Sequence, residues 1–109
     1  PDTVNFPWNM AIAATGNTDF ARRQGEIVGR ETKALGVQQI FAPVIDVNNN
    51  AENPVINVRA YSENADDVTR FGIAFMEGLQ SQNVLATAKH FPGHGDTNVD
   101  SHRGLPVIN

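Results

Sequence analysis

The chain has 109 residues, 40% of them hydrophobic, and carries 8 Lys and Arg against 12 Asp and Glu, a formal net charge of -4. That length suits one compact domain or part of a larger one. Interspersed charges with an acidic balance leave no basic footprint for a nucleic acid, the lack of cysteine removes disulfides and thiolate metal sites, and no apolar run approaches the ~20 residues of a membrane span.

The chain opens on Pro1 rather than a methionine, with no leader visible, so further sequence upstream is expected. A short helical turn is expected over Trp8 to Ala14. From Asp19 to Leu35 the apolar positions Phe20, Ile27, Val28, Ala34 and Leu35 recur at helical spacing, with Thr18 as N-cap and Gly36 as the residue beyond the end. "QQIFAPVI", Gln38 to Ile45, is apolar without alternation and reads as a strand covered on both faces. A second helix is predicted over Ala65 to Gln82, where Val68, Phe71, Phe75, Met76 and Leu79 share a face with Gly72. Asn64 is its N-cap, and Asp66 and Asp67 suit its first turn. "NVLATAK", Asn83 to Lys89, repeats the strand pattern, and "LPVI" after the next loop turns apolar again. Helix, strand, long loop, repeated twice, is the α/β pattern with parallel strands. The polar, glycine and proline residues collect after the strands, where α/β folds carry their sites. Two parallel strands leave both sheet edges bare, so neighbouring strands or self-association are expected to cover them.

"KHFPGHGDTNVDSH", Lys89 to His102, holds all three histidines of the chain. Asp100 and His102 are one residue apart, close enough for the carboxylate to reach the imidazole. Such a contact fixes the tautomer and steadies the cation, and lets the pair move a proton near neutral pH. The alternative is a chance Asp-x-His on a surface loop. Lys89 and His90 stand where the strand ends and can bind hydroxyls or anions; Lys89 can equally pair with a buried carboxylate such as Asp46. Pro92, Gly93 and Gly95 shape a sharp turn, and His94 between the glycines reads as a prop for the loop. A metal site from His90, His94, His102, Asp96 and Asp100 is disfavoured. The same glycines and proline prevent a helix that would bring His90 and His94 onto one face. Arg59, in "NPVINVRAYSEN", is a solvated arginine by default, but its loop follows the neighbouring strand and can point it into the same site.

The run Lys-His-Phe-Pro-Gly-His-Gly with Asp-Ser-His after it resembles the signature of glycoside hydrolase family 3, in its β-N-acetylglucosaminidase branch. "FPWNMAIAAT", "GRETKALGVQQIFAPVIDVNNNAENPVINVRAYSEN" and "FMEGLQSQNVLATAKHFPGHG" are similar to consecutive segments of the same family, so the resemblance covers essentially the whole chain. Other branches, such as many β-glucosidases, share the Lys-His without the Asp-Ser-His. The resemblance implies a partial (β/α)8 TIM-type barrel, with residues 1–109 as the central portion of the N-terminal barrel domain, incomplete at both ends. It implies retaining hydrolysis of terminal β-linked N-acetylglucosamine from cell-wall or chitin-type sugars, without a cofactor. His102 would be the general acid/base and Asp100 its partner, while Arg59, Lys89 and His90 would bind sugar hydroxyls. The aspartate nucleophile of the family lies downstream, on a later strand outside this chain, and the family's upstream segment with a sugar-binding aspartate and arginine is absent as well. "RAY" stands where the family often has Arg-Ser-Phe. Rival expectations are a β-glucosidase-like or phosphorolytic family member, a metal-dependent hydrolase, and a non-catalytic carbohydrate-binding or scaffold module.

Overall fold

The computed structural model describes residues 4–105 and 107. In chain order they form α1 (Asn9–Ala14), α2 (Thr18–Ala34), β1 (Gln39–Ile40), a 3-10 turn (Asn57–Arg59), α3 (Ala65–Ser81) and β2 (Leu85–Ala86). The two long helices lie within one or two residues of their predicted spans. Asn64 caps α3 as expected, its side chain accepting from the backbone N–H groups of Asp66 and Asp67. The cap of α2 is Asn17 rather than Thr18: its side-chain oxygen accepts from Asp19 N at 3.0 Å, and Thr18 is already helical. Gly36 follows the end of α2 with φ of +80°, a conformation that favours glycine.

The buried face of α2 differs from expectation. Phe20 and Leu35 are 52% and 74% exposed. The residues buried instead are Ala21, Gln24, Gly25 and Gly29. The cause is the closeness of α3. A Cβ at Gly25 would lie 2.2 Å from Phe75 O, and one at Gly78 would lie 2.1 Å from Arg22 O. Backbones in contact leave no room for large side chains at the crossing. On α3 the predicted face does bury Val68, Phe71, Gly72, Phe75 and Leu79. Tyr61 stacks on Phe71 with ring centroids 5.7 Å apart, and Ile12 and Val84 complete this core.

β1 and β2 pair in parallel, Gln39 with Leu85 and Ile40 with Ala86. Both are shorter than the predicted strands, for a local reason. Ile40 pairs with a residue 46 positions on (86 − 40), but Val44 pairs with Lys89, 45 positions on (89 − 44). One extra residue therefore sits on the first strand, a bulge that interrupts the ladder. Pro43, which has no N–H to give, lies in it. Contact resumes beyond: Thr87 N donates to Ala42 O at 3.0 Å, Lys89 N to Pro43 O at 3.1 Å and Ile45 N to Lys89 O at 2.7 Å. The strand ends at Val44–Asp46 and Lys89–His90 are thus held side by side. The restart at "LPVI" falls partly outside the described residues; of it, Leu105 and Val107 are exposed.

Candidate active site

At the strand ends Asp46 is the hub. Its side chain is fully buried. Oδ2 accepts from Nδ1 of His90 at 2.7 Å and from His90 N at 3.2 Å, while Oδ1 accepts from the backbone N–H of His94. Three donors from the second strand end and its loop therefore converge on two oxygens of the first. The peptide bonds Lys89–His90 and Phe91–Pro92 are both cis. Beyond them the loop folds back on the chain after β1: a Cβ at Gly95 would lie 1.8 Å from Val47 O, so only glycine fits this approach.

His94 is buried and bonded on every side. Its Nδ1 meets Thr97 Oγ1 at 2.7 Å, its Nε2 meets Ser101 Oγ at 3.3 Å, and its carbonyl accepts from Thr97 Oγ1 at 2.9 Å and from the Asn53 side chain. Asn53 also caps its own turn, its Oδ1 accepting from Val55 N at 2.9 Å and Ile56 N at 2.8 Å. The rings of His90 and His94 meet edge to face, 5.9 Å between centroids.

At the loop tip Asp100 Oδ1 accepts both from His102 N at 3.0 Å and from His102 Nδ1 at 2.7 Å. The hydrogen bonds from the backbone N–H and the imidazole of His102 hold the Asp100 carboxyl below its ordinary range, with the positive charge of Arg103 adding to the effect. The imidazole side chain is 82% exposed, so Nε2 faces outward with its tautomer set from behind. Ser101, between the two, is the link to His94.

Arg59 closes the 3-10 turn, its Nη1 donating to Val55 O at 3.2 Å. It lines an open depression of about 270 Å³ with Phe6, Pro7, Trp8, Asn9 and Val44. Val44 is the residue paired with Lys89, so the depression borders the same strand ends.

Residues 2–109 match the model of the glycosyl hydrolase family 3 N-terminal domain. The chain belongs to glycoside hydrolase family 3. It is 46% identical over 108 residues to β-hexosaminidase A of Pseudoalteromonas piscicida, covering 96% of this chain and 18% of that protein. It is 45% identical over 94 residues to a β-N-acetylglucosaminidase/β-glucosidase of Cellulomonas fimi, covering 86% of this chain and 17% of that one. The solved structure of a family 3 β-N-acetylglucosaminidase from Paenibacillus sp. str. FPU-7 superposes with a TM-score of 0.94 at 47% identity, over 97% of this chain and 20% of that chain. The chain thus spans about a fifth of the length of these relatives. Its two helix–strand units are part of a (β/α)8 TIM-type barrel, the fold of the family 3 N-terminal domain.

The residues expected at a family 3 site fall into three places. Lys89 and His90 share the strand end, Asp100 and His102 pair at the loop tip, and Arg59 lines the depression beside Val44. The reading of Lys89 as the partner of Asp46 needs correction. His90 takes that carboxylate, because its ring nitrogen and two backbone N–H groups reach it together. Among the described residues no three histidine or acidic side chains converge as metal ligands. Sequence reasoning missed Asn53, Thr97 and Ser101 as moorings of the loop. Thr97 and Ser101 sit inside the histidine segment and were legible only as polar loop residues. A signal for Asp46 did exist: a lone acid ending an apolar strand needs buried donors.

Proposed function

We propose that this chain supplies part of the active site of a retaining glycoside hydrolase that removes terminal β-linked N-acetylglucosamine from cell-wall or chitin-type sugars. Residues 1–109 would be the central portion of its barrel. His102 acts as the general acid/base, Asp100 orients it, and Arg59, Lys89 and His90 bind sugar hydroxyls. The nucleophile is an aspartate on a later strand. The observation that carries this reading is the dyad itself, an imidazole 2.7 Å from a carboxylate with its other nitrogen turned outward on a loop tip. An imidazole has an unperturbed pKa of about 6.5, so it can donate and recover a proton near neutrality without deep burial. Retaining glycosidases otherwise hold two carboxylates about 5–5.5 Å apart, and a histidine in one place avoids a second negative charge beside the nucleophile.

A second specificity is favoured by one observation: the Cellulomonas fimi relative carries both β-N-acetylglucosaminidase and β-glucosidase in its name. The deciding experiment gives the full-length protein aryl β-N-acetylglucosaminide and aryl β-glucoside, each with and without inorganic phosphate. Preferential release from the former by water, lost in His102→Ala, is expected. Turnover of the glucoside alone, or dependence on phosphate, would replace this reading with the glucosidase-like or phosphorolytic one.

A further inference from the structure

We propose that Asp46 is a positioning residue that decides which ring nitrogen of His90 carries the proton, and thereby makes the strand end selective for a hydroxyl group. This rests on the reading that His90 contacts the sugar. An ionised carboxylate only accepts hydrogen bonds. Nδ1 of His90, 2.7 Å from Asp46 Oδ2, is therefore the donor. In the neutral imidazole Nε2 then holds a lone pair and no proton. The ring is about one-third exposed, so that lone pair is within reach of a ligand.

The carboxylate has no freedom to turn. Both its oxygens are engaged, one by the ring and backbone of His90 and the other by the backbone N–H of His94. The His90 ring therefore presents one acceptor at the strand end. A hydroxyl satisfies it by giving its proton to Nε2. An ether, a carbonyl or a fluorine at that place meets a lone pair with a lone pair. Asp46 thus acts on substrate through His90, without touching it.

Two measurements on the full-length protein test this. Histidine-selective 15N labelling at about pH 8, well above the ordinary imidazole midpoint of ~6.5, reads the tautomer directly, with His90 identified by the signal lost in His90→Ala. The proton is expected on Nδ1; a His90 protonated on Nε2 overturns the proposal. The second is a double-mutant cycle on kcat/KM for an aryl β-N-acetylglucosaminide. Asp46→Asn is expected to lower kcat/KM by on the order of 10- to 100-fold, as loss of an orienting partner commonly does. In the His90→Ala background the same change is expected to cost less than about 3-fold, because the two act as one unit. Equal loss in both backgrounds would show that Asp46 serves the fold alone. If Asp46→Asn does not fold, the wild-type tautomer still decides. If the wild type does not turn over the glycoside, the proposed function fails while the tautomer still judges Asp46.

Discussion

His102 is held by two bonds to one carboxylate oxygen and by little else, since most of its surface is open. A side chain this exposed contributes little through packing, and the proposed role in proton transfer is what its removal tests. In the full-length protein His102→Ala is expected to slow turnover by about 10²–10⁴-fold, the usual worth of general acid–base help. Substrates with acidic leaving groups need little protonation, so their first step should suffer least, the glycosyl-enzyme should accumulate, and azide should partly restore turnover. A kinetic series over leaving groups checks this; an equal loss for all of them, with no azide effect, would remove His102 from the role. Asp100→Ala should act in the same direction but more weakly, because the imidazole stays. The Asp100 carboxyl also predicts a pH effect. Its pKa is lowered by the His102 hydrogen bonds. A lowered acid favours the folded loop at pH above the ordinary aspartate value of about 3.9, and that contribution fades as pH falls through the lowered value. Carboxyl-carbon NMR should place the Asp100 midpoint below about 3.9; a midpoint at or above it would mean the dyad contact is not kept in solution.

Among the elements, the α2–α3 crossing depends on two glycines whose Cα hydrogens face carbonyl oxygens of the other helix. Gly78→Ala must push the helices apart or bend one of them, because the 2.1 Å neighbour is backbone and cannot rotate aside. Overpacking of this kind costs about 1–3 kcal/mol or more, against a gain of at most about 1 kcal/mol in helix propensity. Urea unfolding of the full-length protein is expected to show net destabilisation; an unchanged or raised midpoint would show that the crossing relaxes freely. The helices themselves were legible because caps and apolar periodicity are local. The face of α2 was not. Hydrophobicity pointed to Phe20 and Leu35, while the close approach of α3 selected Gly25 and Gly29, and nothing within α2 announces its neighbour. The strands were placed correctly but drawn too long, since the bulge around Pro43 depends on the partner strand.

For the molecule as a whole, the sheet among the described residues has two strands, with no further strand beside either. Phe41, next after β1, at 72% exposure and Leu85 of β2 at 62% show apolar residues of the sheet without cover. Residues 1–109 produced alone are therefore expected to self-associate and to leave an aryl β-N-acetylglucosaminide intact, since the proposed nucleophile lies elsewhere. Sedimentation and a turnover assay check both; a monodisperse monomer that unfolds cooperatively, or hydrolysis abolished by His102→Ala, would contradict them. The histidine segment was the most legible part of the candidate site because its residues are contiguous. Its supports were not, because Asp46 and Asn53 lie more than 40 positions earlier and meet it only through the parallel register.

The shared carboxylate of Asp46 also limits how such enzymes can be recombined. Residues 91–105 look like a detachable surface loop that could be traded between relatives to alter rate or specificity. Yet the graft would leave behind the acid that clasps the His94 backbone, the amide of Asn53, and the carbonyl of Val47 that tolerates only Gly95. A successful exchange has to carry residues 46–53 along with it, so the unit of inheritance is the pair of neighbouring strand ends and not the loop.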